Sequence, residues 1–106
     1  MTPMHPIVAD KLPEIRALCR LHHVQRLDLI GSATSPDFDP SRSDLDFIVE
    51  FLPVPRRGLQ DVYFKLLFDL QDLLGRKVDL IEAAAIRNPY FSESITRSRE
   101  PIYAAA

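Results

Sequence analysis

The chain has 106 residues, 46% hydrophobic and 26% charged, with a formal net charge of −2. That is enough chain for one hydrophobic core and too little for a separate regulatory module, so a single domain over residues 1–106 is expected. The charge balance gives no global attraction to nucleic acid, and a lone cysteine, Cys19, excludes both an internal disulfide and a Cys-based zinc cluster.

No apolar run approaches the roughly 18 residues needed to cross a bilayer. The start, MTPMHPIVADKLPE, lacks the basic lead and apolar core of a secretory signal, and a cytoplasmic location is expected. His22 and His23 lie about 100° apart around a helix and have no zinc-ligand spacing; with His5 they read as helix-end residues.

From about Asp10 to His22 the apolar residues Leu12, Ile15, Leu18 and Cys19, with Val8 ahead of them, recur at helical spacing. Pro13 is tolerated only in the first turn, so the regular helix starts at or just after Asp10. The period then changes. Leu27 and Leu29 alternate with Arg26 and Asp28 up to Gly31, which predicts a first strand of about five residues within 24–30. Residues 33–43, ATSPDFDPSRS, read as a loop.

A second strand from Asp44 to about Phe51 places Leu45, Phe47 and Val49 on one face and Asp44, Asp46, Ile48 and Glu50 on the other. Ile48 among the acids predicts that the acidic face is covered and not simply wet. After PVPRRG, a helix is expected from about Leu59 to Leu74, closed by Gly75 in a left-handed cap, with Asp61, Lys65, Asp69 and Asp72 on its wet side. The third strand, Lys77 to Glu82, carries Asp79 as a lone acid in an apolar run. Asn88-Pro89 opens a final amphipathic helix using Tyr90, Phe91, Ile95 and Ile102, kinked or ended at Pro101. The resulting order, helix-strand-strand-helix-strand-helix, defines an α/β (α+β) class with helices over one small mixed sheet.

Asp44 and Asp46 share a strand face, where two like charges repel. A divalent cation or a solvated face accounts for them equally well. With the third strand beside the second, Asp79 completes a trio of hard oxygen ligands suited to Mg2+ or Mn2+, the remaining ligands coming from substrate phosphates. Gly31-Ser32 at the end of the first strand permits close backbone approach and offers an N–H and a hydroxyl to phosphate, although a turn alone also explains it.

In this order LDLIGS (27–32), SDLDFIVEF (43–51) and KVDLIE (77–82) resemble the minimal nucleotidyltransferases of the DNA polymerase beta superfamily, over nearly the whole chain. The resemblance implies the nucleotidyltransferase fold, with Asp44 and Asp46 holding magnesium, Asp79 orienting or deprotonating the acceptor, and Gly31 and Ser32 gripping the triphosphate. The small members are similar to antitoxins paired with HEPN-type ribonuclease toxins, some of which transfer AMP from ATP to a tyrosine of the toxin. An adenylyltransferase with ATP as substrate and a HEPN-type toxin as partner is therefore implied. A non-catalytic antitoxin that occludes its toxin is the alternative, and nucleotide transfer to RNA a weaker one. Two departures from the family pattern stand out. Where many relatives read GSRARG this chain reads GSATSP, with no basic residue before Arg42, which leaves Arg56, Arg57 or a partner to supply a phosphate contact. The connection between Ser32 and Asp44 has eleven residues, one more than is common in the antitoxins.

Overall fold

Pro13 decides how the chain begins. Inside a continuous helix it would remove the bond to the carbonyl of Ala9 and clash with it. In the computed structural model, which describes residues 6–30, 45–53, 56–83 and 99–105 without the side chains of 56, 57 and 59, the chain accordingly breaks there. A single turn, α1 (Pro6–Ala9), gives way to a link closed by Asp10 N–H to Pro6 O (2.9 Å) and Lys11 N–H to Val8 O (3.0 Å). Helix α2 (Leu12–Leu21) then starts with proline in its first turn. Its regular part begins slightly later than the periodicity suggests. Ile15 and Cys19 are its buried side, and Lys11, Glu14 and Arg16 are exposed.

The first strand, β1 (Val24–Ile30), is longer than the expected five residues. It pairs antiparallel with β2 (Leu45–Phe51) on one side and with β4 (Glu100–Ala104) on the other. Helix α3 (Arg56–Leu74) follows β2 and starts before the expected Leu59. Gly75 ends it at φ +64°, donating its N–H to Gln71 O at 2.8 Å, the left-handed conformation that only glycine adopts without strain. The helix is the crossover that a parallel pair requires: β3 (Val78–Glu82) lies parallel to β2. The four-stranded mixed sheet has the order β3-β2-β1-β4.

One face of the sheet carries the main core. Leu27, Leu29, Leu45, Phe47, Val49, Val78, Leu80 and Ile102 pack against Ile15 and Cys19 of α2 and Leu66, Leu70 and Leu74 of α3. Arg16 Nε donates to Ile102 O at 3.0 Å, and the Tyr63 hydroxyl donates to the Leu80 carbonyl, so each helix is tied to an edge strand. The opposite face is not wet. Ile30 (4% exposed) and Ile48 (2% exposed) form a second apolar cluster with Ile81 and Ala83, as Ile48 among the acids predicted.

The chain's last part departs from expectation. Glu100–Ala104 is a strand, so Pro101 and Ile102 do not belong to a terminal helix. An outer strand needs ladder bonds on one side only, and a proline is tolerated where its missing N–H faces away from the neighbour. Pro101 stands opposite Asp28 beside an irregularity between Leu27 and Asp28. The earlier part of that expected helix, from Asn88-Pro89 with Tyr90, Phe91 and Ile95, and the loop over 33–43 lie outside the described residues.

Candidate functional site

The alternation in β2 sends Leu45, Phe47 and Val49 into the main core and leaves Asp46 and Ile48 on the opposite face. In β3 the same alternation buries Val78 and Leu80 and turns Asp79 and Ile81 the other way. The parallel ladder aligns the two strands so that Asp46 is the register partner of Asp79, and Ile48 of Ile81. Two carboxylates far apart in sequence thus occupy adjacent strands at one level of one face. Asp46 is half-buried and Asp79 exposed. Ile30 of β1 is the register partner of Asp46 on its other side.

Asp44, Gly31 and Ser32 lie outside the described residues, as does Arg42. Among the described residues no group of three or more His, Cys, Asp or Glu is arranged to hold a metal. The donors that do meet, Asp46 and Asp79, are carboxylates, the ligand type that hard cations such as magnesium take. Among the described residues, two softer donors lie elsewhere: Cys19 is buried in the main core and His22 Nε2 lies 2.6 Å from Asp69 Oδ2. The two carboxylates of Asp46 and Asp79 are the kind of donor that magnesium takes.

Burial pushes the Cys19 thiol up to about 12, against a smaller opposing effect of Arg20, so it stays protonated and inert. Burial, then the negative charges of Asp79 and Glu82, raise the Tyr63 phenol above its ordinary value, which keeps its proton available for the Leu80 carbonyl. His22 was expected at a helix end; it is there, but buried and paired with Asp69, while the neighbouring His23 takes φ 58° at the entry to β1.

The alternation of β1 also contains a residue whose importance sequence reading missed. Asp28 is fully buried on the acidic face, Arg26 Nε lies 3.0 Å from its Oδ2, and Arg99 Nε donates to the same oxygen. The available signal was the one that singled out Asp79: an acid inside an apolar run, here Leu-Asp-Leu-Ile.

A small mixed sheet flanked by helices in this topology is that of the nucleotidyltransferase fold, and residues 15–102 match the nucleotidyltransferase domain family. The chain belongs to that family. It is similar to two proteins of Methanocaldococcus jannaschii assigned as protein adenylyltransferases: MJ0128 at 35% identity and MJ1379 at 34%, each over 79% of this chain and 90% of the relative. Among solved structures, its fold is similar to that of a minimal nucleotidyltransferase (TM-score 0.73, 24% identity, 89% of this chain and 91% of that one). The fold is also similar to chains of a toxin–antitoxin crystal structure with AMP-PNP (TM-score 0.68, 18% identity, 89% and 73%) and of a tri-AMPylated Shewanella oneidensis HEPN toxin in complex with MNT antitoxin (TM-score 0.63, 17% identity, 92% and 72%). Family membership and the identity to the adenylyltransferases support enzymatic nucleotidyl transfer as the general activity of the chain.

Proposed function

We propose that this protein transfers AMP from ATP, with magnesium, to a tyrosine of a HEPN-type toxin and so acts as the antitoxin of a toxin–antitoxin pair. The observation that carries the reading is the register partnership of Asp46 with Asp79 on the face opposite the main core. The 35% identity to an assigned protein adenylyltransferase supports AMP as the transferred group, and the likeness of fold to chains of toxin–antitoxin complexes supports the partner.

In this reading Asp44 and Asp46, with Asp79, hold magnesium, and Gly31 and Ser32 grip the triphosphate. A bound magnesium ion supplies neutralisation of phosphate charge and lowers the pKa of the attacking hydroxyl. Asp79, the more exposed acid of the pair, faces solvent from which an acceptor side chain can enter, and it orients the tyrosine hydroxyl and accepts its proton. The tyrosine oxygen forms a bond to the α-phosphorus, the bond from that phosphorus to the bridging oxygen breaks, and pyrophosphate leaves with its electron pair.

Incubation of the protein with the product of its neighbouring gene, labelled ATP and magnesium, followed by intact-mass measurement, tests this. A gain of AMP units on the neighbour, absent with Asp46→Asn, is expected. A tight complex with no mass gain would reject transfer and favour simple occlusion of the toxin, the reading that GSATSP, without the arginine of many relatives, favours.

A further inference from the structure

We infer that Arg99, seated on the buried carboxylate of Asp28, is the residue that binds the distal phosphates of the nucleotide, standing in for the arginine that GSATSP lacks; the inference rests on the nucleotidyl-transfer reading above. Three observations carry it.

The first is position. Asp28 shares its face with Ile30, and it is the register partner of Ile48, which lies two residues from Asp46 on that same face. Arg99 directly precedes Glu100, the register partner of Leu29, so the chain at Arg99 stands level with Ile30, and Ile30 is the register partner of Asp46. Arg99, just before β4, and Ile30, Asp46 and Asp79 of β1, β2 and β3 therefore follow one line across the sheet. From Arg99 to Asp46 is two strand spacings, or about 10 Å. Ile30 between them is buried, so the relation is one of reach: an extended triphosphate with its α-phosphorus at the acid pair, together with the length of an arginine side chain, spans that distance.

The second is charge. One buried carboxylate faces two guanidiniums, Arg26 and Arg99; Arg26 also has Glu50 as its register partner, and Arg99 is the cation nearer the level of the acid pair. Asp28 needs only one cation for neutrality.

The third is how the guanidinium is held. Arg99 reaches Asp28 Oδ2 through Nε, and Asp28 Oδ1 is buried with no hydrogen-bond partner. An arginine spent wholly on a carboxylate uses its fork on both oxygens. Here the terminal nitrogens of Arg99 are not spent on Oδ1, and the Arg99 side chain, 23% exposed against 0% for Asp28, reaches solvent. The carboxylate fixes the stem of the guanidinium and leaves its far end for a phosphate oxygen, the anion whose geometry a guanidinium matches.

The test is equilibrium binding of ATP and of AMP, each with magnesium, to the full chain, its Arg99→Gln variant and the double variant Asp28→Asn/Arg99→Gln. The double variant removes both charges together and so leaves no unpaired buried carboxylate, which lets it answer the question even where Arg99→Gln alone unfolds. ATP affinity is expected to fall about tenfold or more in the double variant, as for loss of a charged hydrogen bond, with AMP affinity unchanged because AMP has no distal phosphates. Unchanged ATP affinity in the folded double variant, or equal losses for ATP and AMP, would overturn the assignment while leaving the nucleotidyl-transfer reading intact. A parent chain that binds neither nucleotide overturns both.

Discussion

Asp46 of β2 and Asp79 of β3 are register partners in a parallel ladder, on the face of the sheet turned away from the main core. Like charges opposite one another on a sheet cost about 0.2–1 kcal/mol. That term is small beside the stability of a domain, so Asp46→Asn should leave the metal-free protein folded. The same change should lower AMP transfer at least ~100-fold and abolish the rise in midpoint that magnesium gives the parent. Calorimetry with and without magnesium, beside the mass assay, checks both halves. A variant unfolded without metal, or one with full activity, would contradict them.

Removing one partner of a buried ion pair costs more than neutralising both. Asp28 is fully buried, so Arg99→Gln should destabilise the protein by roughly 2–3 kcal/mol, Arg26 at 3.0 Å sparing part of the loss. Asp28→Asn/Arg99→Gln should recover most of it. Urea unfolding of the two variants gives the comparison directly, and a double variant less stable than the single one would refute it.

His22 Nε2 and Asp69 Oδ2, 2.6 Å apart, join the end of α2 to α3. The Asp69 side chain is 41% exposed, so solvent screens the interaction. A double-mutant cycle with His22→Ala and Asp69→Ala should return a coupling of about 0.5–1 kcal/mol, diminished in high salt. A coupling several times larger would show the pair to be the main link between the helices.

The Cys19 thiol, pushed by burial up to about 12, and the Tyr63 phenol, raised by burial and by Asp79 and Glu82, both stay protonated in the fold past the pH at which the unfolded chain releases their protons. The unfolded state then binds fewer protons, so stability falls as pH rises. The loss from Cys19 runs from about pH 9 to about 12, and that from Tyr63 begins near pH 10. A thermal midpoint that declines over this range, less steeply in Cys19→Ala, is the expected record. At neutral pH the native thiol should resist alkylation until the protein unfolds, and rapid modification of the folded chain would be inconsistent with its burial.

By itself the sequence determined which way the residues of β2 and α3 face. The period of two in β2 separates Leu45, Phe47 and Val49 from Asp46 and Ile48, the three-and-four spacing in α3 collects Leu66, Leu70 and Leu74, and Gly75 marks the cap. These follow from backbone geometry repeating along the chain, and the order of GS, the paired acids and the later Asp79 carried the family resemblance. Neighbours across the sheet were decided only by the tertiary structure. Nothing local says that β3 lies against β2 with Asp79 level with Asp46, because strand partners are chosen by how separated segments together bury their apolar faces. The same holds for Glu100–Ala104, where Pro101 reads locally as a helix breaker and the free edge beside β1 makes it part of a strand. It holds most for Asp28: its alternation reads as an ordinary polar residue of β1, and burial between strands brings Arg99, from the far end of the chain, to its carboxylate.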